Sequence, residues 1–155
     1  METVFTIFCP QRKRLLDVRS GLVRLHMTLI LAELVTYERI NGRVASSSKL
    51  LQLVSNDPWF TWLHPFPLLV YRIDQLLEGD SEFSLVEGES ILKMVRFFIR
   101  LSEEGDGFAR SYYEALQRDP EVVVAHMELL NLLTFAKIAD PQPVAIAAVG
   151  PKTSR

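Results

Sequence analysis

Cysteine is nearly missing from this chain: Cys9 stands alone among 155 residues, so no internal disulfide can form and no Cys-x-x-Cys pair exists to hold zinc. That usage fits a reducing, cytoplasmic setting. Histidine is scarce too. His26, His64 and His126 are isolated from one another, and no His-Glu-x-x-His, Glu-x-x-His or His-x-x-x-His spacing occurs. The glycine-rich phosphate loops and the Gly-x-Ser-x-Gly nucleophile elbow are also absent, and Gly105-Asp106-Gly107 reads only as a turn. Cys9, in an apolar run beside Pro10, has no neighbour that would lower its pKa. These gaps turn the expectation away from an enzyme.

Long hydrophobic runs are lacking as well. The longest uncharged stretch of the central chain, Pro58 to Tyr71, is 14 residues and is broken by Pro65 and Pro67, against the roughly 20 apolar residues a membrane-spanning helix needs. No membrane association is expected. The first residues place their basic groups after the apolar run, the reverse of a secretory signal. Basic charge is limited: residues 1–45 carry 7 Lys and Arg against 4 Asp and Glu, residues 46–155 carry 10 against 15, and the sum is −2. Arg12, Lys13, Arg14, Arg19 and Arg24 form one modest cluster, which reads as a solvated helix start, and no nucleic-acid partner is expected.

What is present is helix punctuation. Asp57-Pro58 and Asp119-Pro120 each place a capping carboxylate before a proline suited to the first helical turn. Ser84-Leu-Val-Glu87 is a capping box, and Ser46-Ser47-Ser48 precedes a short helix. Asn41-Gly42, Glu78-Gly79 and Glu104-Gly105-Asp106-Gly107 mark stops. Together they predict helices over 12–41, 47–56, 58–64, 66–79, 84–102, 107–118 and 120–137. Only Thr3–Phe8 and Val144–Val149 are strand-like, and both read better as frayed tails. Within the predicted helices, Ile91, Val95, Phe98 and Ile99 share one face, as do Val122, Ala125, Leu129, Leu132, Leu133 and Ala136. The expected fold is all-α: a helical bundle of four longer helices with short crossing helices, spanning 12–137, between an N-terminal extension (1–11) and an irregular, proline-containing C-terminal tail (138–155).

The first long helix carries the most informative pattern. His26, Glu33 and Tyr37 fall within roughly 40° of one another, on the side that also holds Leu22, Leu29, Ile30 and Ile40. A carboxylate facing a core must be paired, hydrogen-bonded or protonated; His26, Tyr37 or a group on a facing helix could serve. His126 and Asp74 lie at the edges of the apolar stripes of their own helices. The plainer reading is a buried hydrogen-bond network that fixes helix pairing. The sharper one is a small-ligand or divalent-metal site in the bundle core, with His26, Glu33 and His126 as candidate ligands and Tyr37 and Asp74 beside them. A stripe that simply meets solvent at the end of the bundle is the third. His64, in Leu63-His64-Pro65, reads as a bend residue.

Asp57 to Phe66 holds both tryptophans and two phenylalanines, too many for one helix face. Trp59 and Trp62 either cement the short helix to the bundle or belong to a dimer or partner interface. The string Leu25-His26, Glu33, Tyr37-Glu38-Arg39, Gly42, Leu50-Leu51-Gln52-Leu53, Asp57-Pro58-Trp59-Phe60, Trp62-Leu63 and Arg72-Ile73-Asp74 resembles a family of small uncharacterised bacterial all-helical proteins over about residues 20–136, and implies no activity. A looser similarity of shape is to DinB-like and hemerythrin-like bundles, which hold metals with histidines from several helices; their paired histidines on one helix are absent here. The expected function is a protein-interaction or regulatory module, as a homodimer or with another protein. The alternative is a metal- or small-ligand-binding bundle, DinB-like, with hydrolase or transferase chemistry, that uses the His/Glu cluster.

Overall fold

The computed structural model describes residues 10–79 and 85–138, and all regular structure among them is helical. The seven helices among the described residues are α1 (Pro10–Asn41), α2 (Ser47–Asn56), α3 (Pro58–Thr61), α4 (Pro65–Glu78), α5 (Leu85–Phe98), α6 (Gly107–Arg118) and α7 (Pro120–Ile138). The all-α bundle is therefore as expected. The strand-like segments Thr3–Phe8 and Val144–Val149, Cys9, Ser84 of the capping box and the tail after Asp140 lie outside the described residues.

Most boundaries follow from capping chemistry. The Ser46 hydroxyl accepts from the Lys49 N–H at 3.2 Å, Asp57 accepts from the Trp59 N–H at 2.9 Å, and Asp119 accepts from the Glu121 N–H at 3.0 Å. Each satisfies one of the orphan donors of a helix start. α1 ends where Gly42 takes a φ of 87°, a left-handed backbone that its missing Cβ permits, and its N–H closes on the Glu38 carbonyl at 3.0 Å. Gly79 does not stop α4 in this way; its φ is −63°. The carbonyl of Leu77, near that end, accepts instead from the Arg12 guanidinium at 2.8 Å, tying the start of α1 to the end of α4. α5 stops at Phe98 rather than near 102, because the Arg100 N–H bonds the Phe97 carbonyl, a tighter i to i−3 bond that closes the helix.

α1, 32 residues and so about 48 Å long, is the central element and packs on α7, α4, α3 and α5. Leu15, Val18, Leu22, Leu25 and Leu29 are fully buried along it. Phe66, Leu69, Ile73 and Leu77 meet them from α4, Leu92 and Val95 from α5, and Val122, Ala125, Leu129 and Leu133 from α7. α7 comes close because α1 offers Gly21 at the crossing: a Cβ there would lie 3.0 Å from Leu129 Cδ1 and 3.1 Å from Leu132 Cδ1. The stripe pattern fails at one position expected to be apolar-facing, since Ile40 is exposed in the last turn of α1, where the helix runs past its neighbours.

Candidate functional site

The polar members of the α1 stripe are not in bulk water. Glu33 is buried at 8% exposure, and His26 and Tyr37 are half-buried. Each has its own neighbours. Arg118, at the end of α6, donates to Glu33 Oε1 at 2.6 Å, so the buried carboxylate is paired from a facing helix and not by His26. The Tyr37 ring packs edge-on to Trp59 with centroids 5.7 Å apart and lies 5.6 Å from Phe60. Asp74 of α4 receives a two-pronged bond from Arg19 of α1, at 2.5 Å and 3.2 Å, the geometry in which a guanidinium matches a carboxylate best. Among the described residues, no three His, Cys, Asp or Glu side chains gather where a single ion could be held. The structure thus brings Glu33 and Asp74 each to an arginine and does not bring His26, Glu33 and His126 to one point.

The two histidines are instead the ends of an aromatic ladder. His26 stacks on Phe66 (5.4 Å, 11°), Phe66 meets Phe108 (5.8 Å), Phe108 stacks on Tyr112 (5.7 Å, 14°), and Tyr112 meets His126 (5.5 Å). Phe98 joins from α5, edge-on to Phe66 at 5.0 Å and stacked on Phe108 at 4.2 Å. Trp62 packs on Phe108 at 5.6 Å. Both tryptophans therefore make ring contacts inside the chain.

At one end the Tyr112 hydroxyl and His126 Nδ1 are 2.5 Å apart in a buried setting. Burial pushes the phenol well above its ordinary range and the imidazole below its own. The protonated phenol and the imidazole share this one hydrogen bond, and the imidazole tautomer sets which of them donates. At the other end burial, and then the charge of nearby His64, lowers the His26 pKa.

A concavity lies on the outer side of the ladder. It is a groove of about 870 Å³ between α4, α5, the segment after α5 and the first turn of α6. Phe98 and Phe108 belong to both groove and ladder, so the stacked rings that fill the core also form the groove wall. Leu68, Leu69, Met94 and Phe97 extend the apolar lining; Arg72, Arg100 and Asp106 are its charged members. Its volume falls within the range of small-molecule sites. Phe98 stood out in the sequence only as a member of an apolar stripe and Asp106 only in a turn, because the groove is assembled from three helices and a connection. One signal was there: Leu68 and Phe97 are apolar residues off the buried stripes of α4 and α5, and both are exposed.

Against known proteins, the chain matches no family, no curated protein and no solved structure.

Proposed function

We propose that this chain is a non-catalytic helical interaction module that works as a homodimer through the outer face of α1 and α7. One observation carries this reading: a run of exposed apolar side chains on a helix whose opposite face is fully buried. Leu16, Val23, Met27, Leu31 and Val35 are exposed along α1, with Val124 and Met127 on α7. Leu31 and Val35, each 53% exposed, lie within roughly 20° of Arg24 around α1. Val124, 58% exposed, lies within roughly 40° of Glu128 around α7. Arg24 and Glu128 bond across the seam at 2.7 Å, so these apolar residues flank that seam on its outer side.

A second copy suits this face better than a charged partner. The apolar run from Leu16 to Val35 covers about 28 Å of helix, and two adjacent helices are about 20 Å wide, giving roughly 600 Å² in projection. That is the order of the about 800 Å² per partner of a standard interface and at the top of the range of about 300–600 Å² that the largest patch on a monomer covers. The pair at its centre offers one positive and one negative group, so a twofold copy meets it with complementary charge.

Light scattering at about 100 μM, ample for a micromolar interface, tests the reading. Wild type is expected to run as a dimer, and Leu31→Arg as a monomer with unchanged helicity. A monomeric wild type, or a Leu31→Arg protein that stays dimeric, overturns it.

A further inference from the structure

We propose that the α4–α5–α6 groove is a binding site for a small amphipathic carboxylate, an acid with an apolar body of about ten carbons and one anionic head. This site is separate from the α1–α7 face and does not rest on it.

The body is dictated by the wall. Phe98 and Phe108, stacked at 4.2 Å, are held by the ladder behind them, since Phe66 contacts both and Tyr112 backs Phe108. The wall is therefore formed before any ligand arrives, and little ordering cost falls on binding. Along α4 the lining runs Pro65, Leu68, Leu69, Arg72, one helix face over two turns and about 10 Å. Phe97, 75% exposed at the rim, and Leu68 have no covering element among the described residues. Bare apolar surface of this kind, continuous with a concavity, is what a hydrocarbon body removes from water.

The head is dictated by charge. Arg14, Arg19, Arg24, Arg110 and Arg118 each pair with a carboxylate, at distances between 2.5 Å and 3.5 Å. Arg12, Arg39, Arg43, Arg72, Arg96 and Arg100 form no such pair among the described residues, and of these Arg72 and Arg100 are the two that line the groove; Arg72 reaches the Met94 sulfur, at 3.5 Å. Asp106 also lines the groove, precedes α6 without a side-chain capping bond, and pairs with neither arginine. Two guanidinium groups against one carboxylate leave the groove at +1 in a chain whose net charge is −2. A planar guanidinium offers paired donors that match a carboxylate, and an apolar wall beside it weakens competition from water.

Titration calorimetry with decanoate, below the concentration at which it self-associates, tests this. Wild type is expected to bind it, Arg72→Gln/Arg100→Gln to bind it about tenfold or more weakly, and 1-decanol to bind wild type as weakly as that. Both arginines are exposed, so the double variant keeps its fold. Asp106→Asn, which removes the opposing charge, is expected to tighten binding a few-fold. Ala109 of α6 also lines the groove; Ala109→Trp, which fills it, should abolish binding, and Leu31→Arg should leave it unchanged. No binding by wild type, equal binding by the double variant, decyl phosphate bound in preference to decanoate, or loss of binding in Leu31→Arg but not in Ala109→Trp would each overturn the proposal.

Discussion

The seam between α1 and α7 and the wall formed by α4, α5 and the start of α6 are held in different ways. At the seam, Gly21 brings the helices close, and Arg24 with Glu128 spans it outside. Its packing is tight, and what it leaves exposed is a row of apolar side chains on the outer side of the two helices. The wall is held by rings: Phe66, Phe98, Phe108 and Tyr112 contact one another, with imidazoles at both ends of the ladder. Large planar groups fill the interior but cannot close the surface between α4 and α5, and a groove remains. An exposed apolar row along helices suits a second helical surface, and a concave apolar wall suits a small molecule; the two proposals follow that division.

Substitutions can break the contrast. The largest effect is expected from Phe66→Ala, which removes a fully buried ring in contact with His26, Phe98 and Phe108, at about 3–5 kcal/mol of stability by urea unfolding. A loss under about 1 kcal/mol would mean the ladder is not what holds the wall.

Arg118→Ala comes next. It strands the buried Glu33 carboxylate, and because Arg118 itself is 45% exposed the expected cost is about 1–2 kcal/mol. Replacing both partners, as Glu33→Leu/Arg118→Ala, is expected to cost less than Arg118→Ala alone, since no unpaired charge is left in the interior. A double variant whose cost equals the sum of the costs of Glu33→Leu and Arg118→Ala would show that the pair is not coupled.

The ladder ends sharpen the comparison through pH. The folded-state pKa values of His26 and His126 lie below the ordinary value of 6.5, chiefly through burial. Between that value and their lower folded ones the unfolded chain binds more protons, so stability falls as pH drops below about 6.5 and is flat in this contribution above about 7. Thermal melts from pH 7 to pH 5 should show the decline, and His126→Phe should lessen it. An unchanged slope in that variant would remove His126 as a contributor.

The smallest effect belongs to the seam's outer pair. Both side chains of Arg24–Glu128 are largely exposed, so Arg24→Ala is expected to cost the monomer under about 1 kcal/mol, and less at high salt. A larger loss in the unfolding free energy of a monomeric variant would mean that the seam depends on this charge.

Much of the fold could be read directly from residue order. Asp57, Asp119 and Ser46 cap helices where a short polar side chain precedes a proline or an apolar run, and Gly42 ends α1, because capping depends on a few neighbouring residues and little else. The burial of Glu33 followed from its place on a stripe of period 3.6. The identity of its partner did not: Arg118 is 85 residues away and no local rule links them.

The division between chain and fold has the same cause throughout. Helix positions, their apolar sides and the burial of Glu33 were determined by interactions within a few turns of backbone, which a sequence displays. Whether two histidines meet or sit at opposite ends of a stack of rings, and whether Phe97, Leu68, Arg72 and Arg100 border one groove, depends on how helices distant in the chain are set side by side. That arrangement was decided only by tertiary packing, where the shapes of Gly21, Phe66 and Phe108 determine how closely the helices approach.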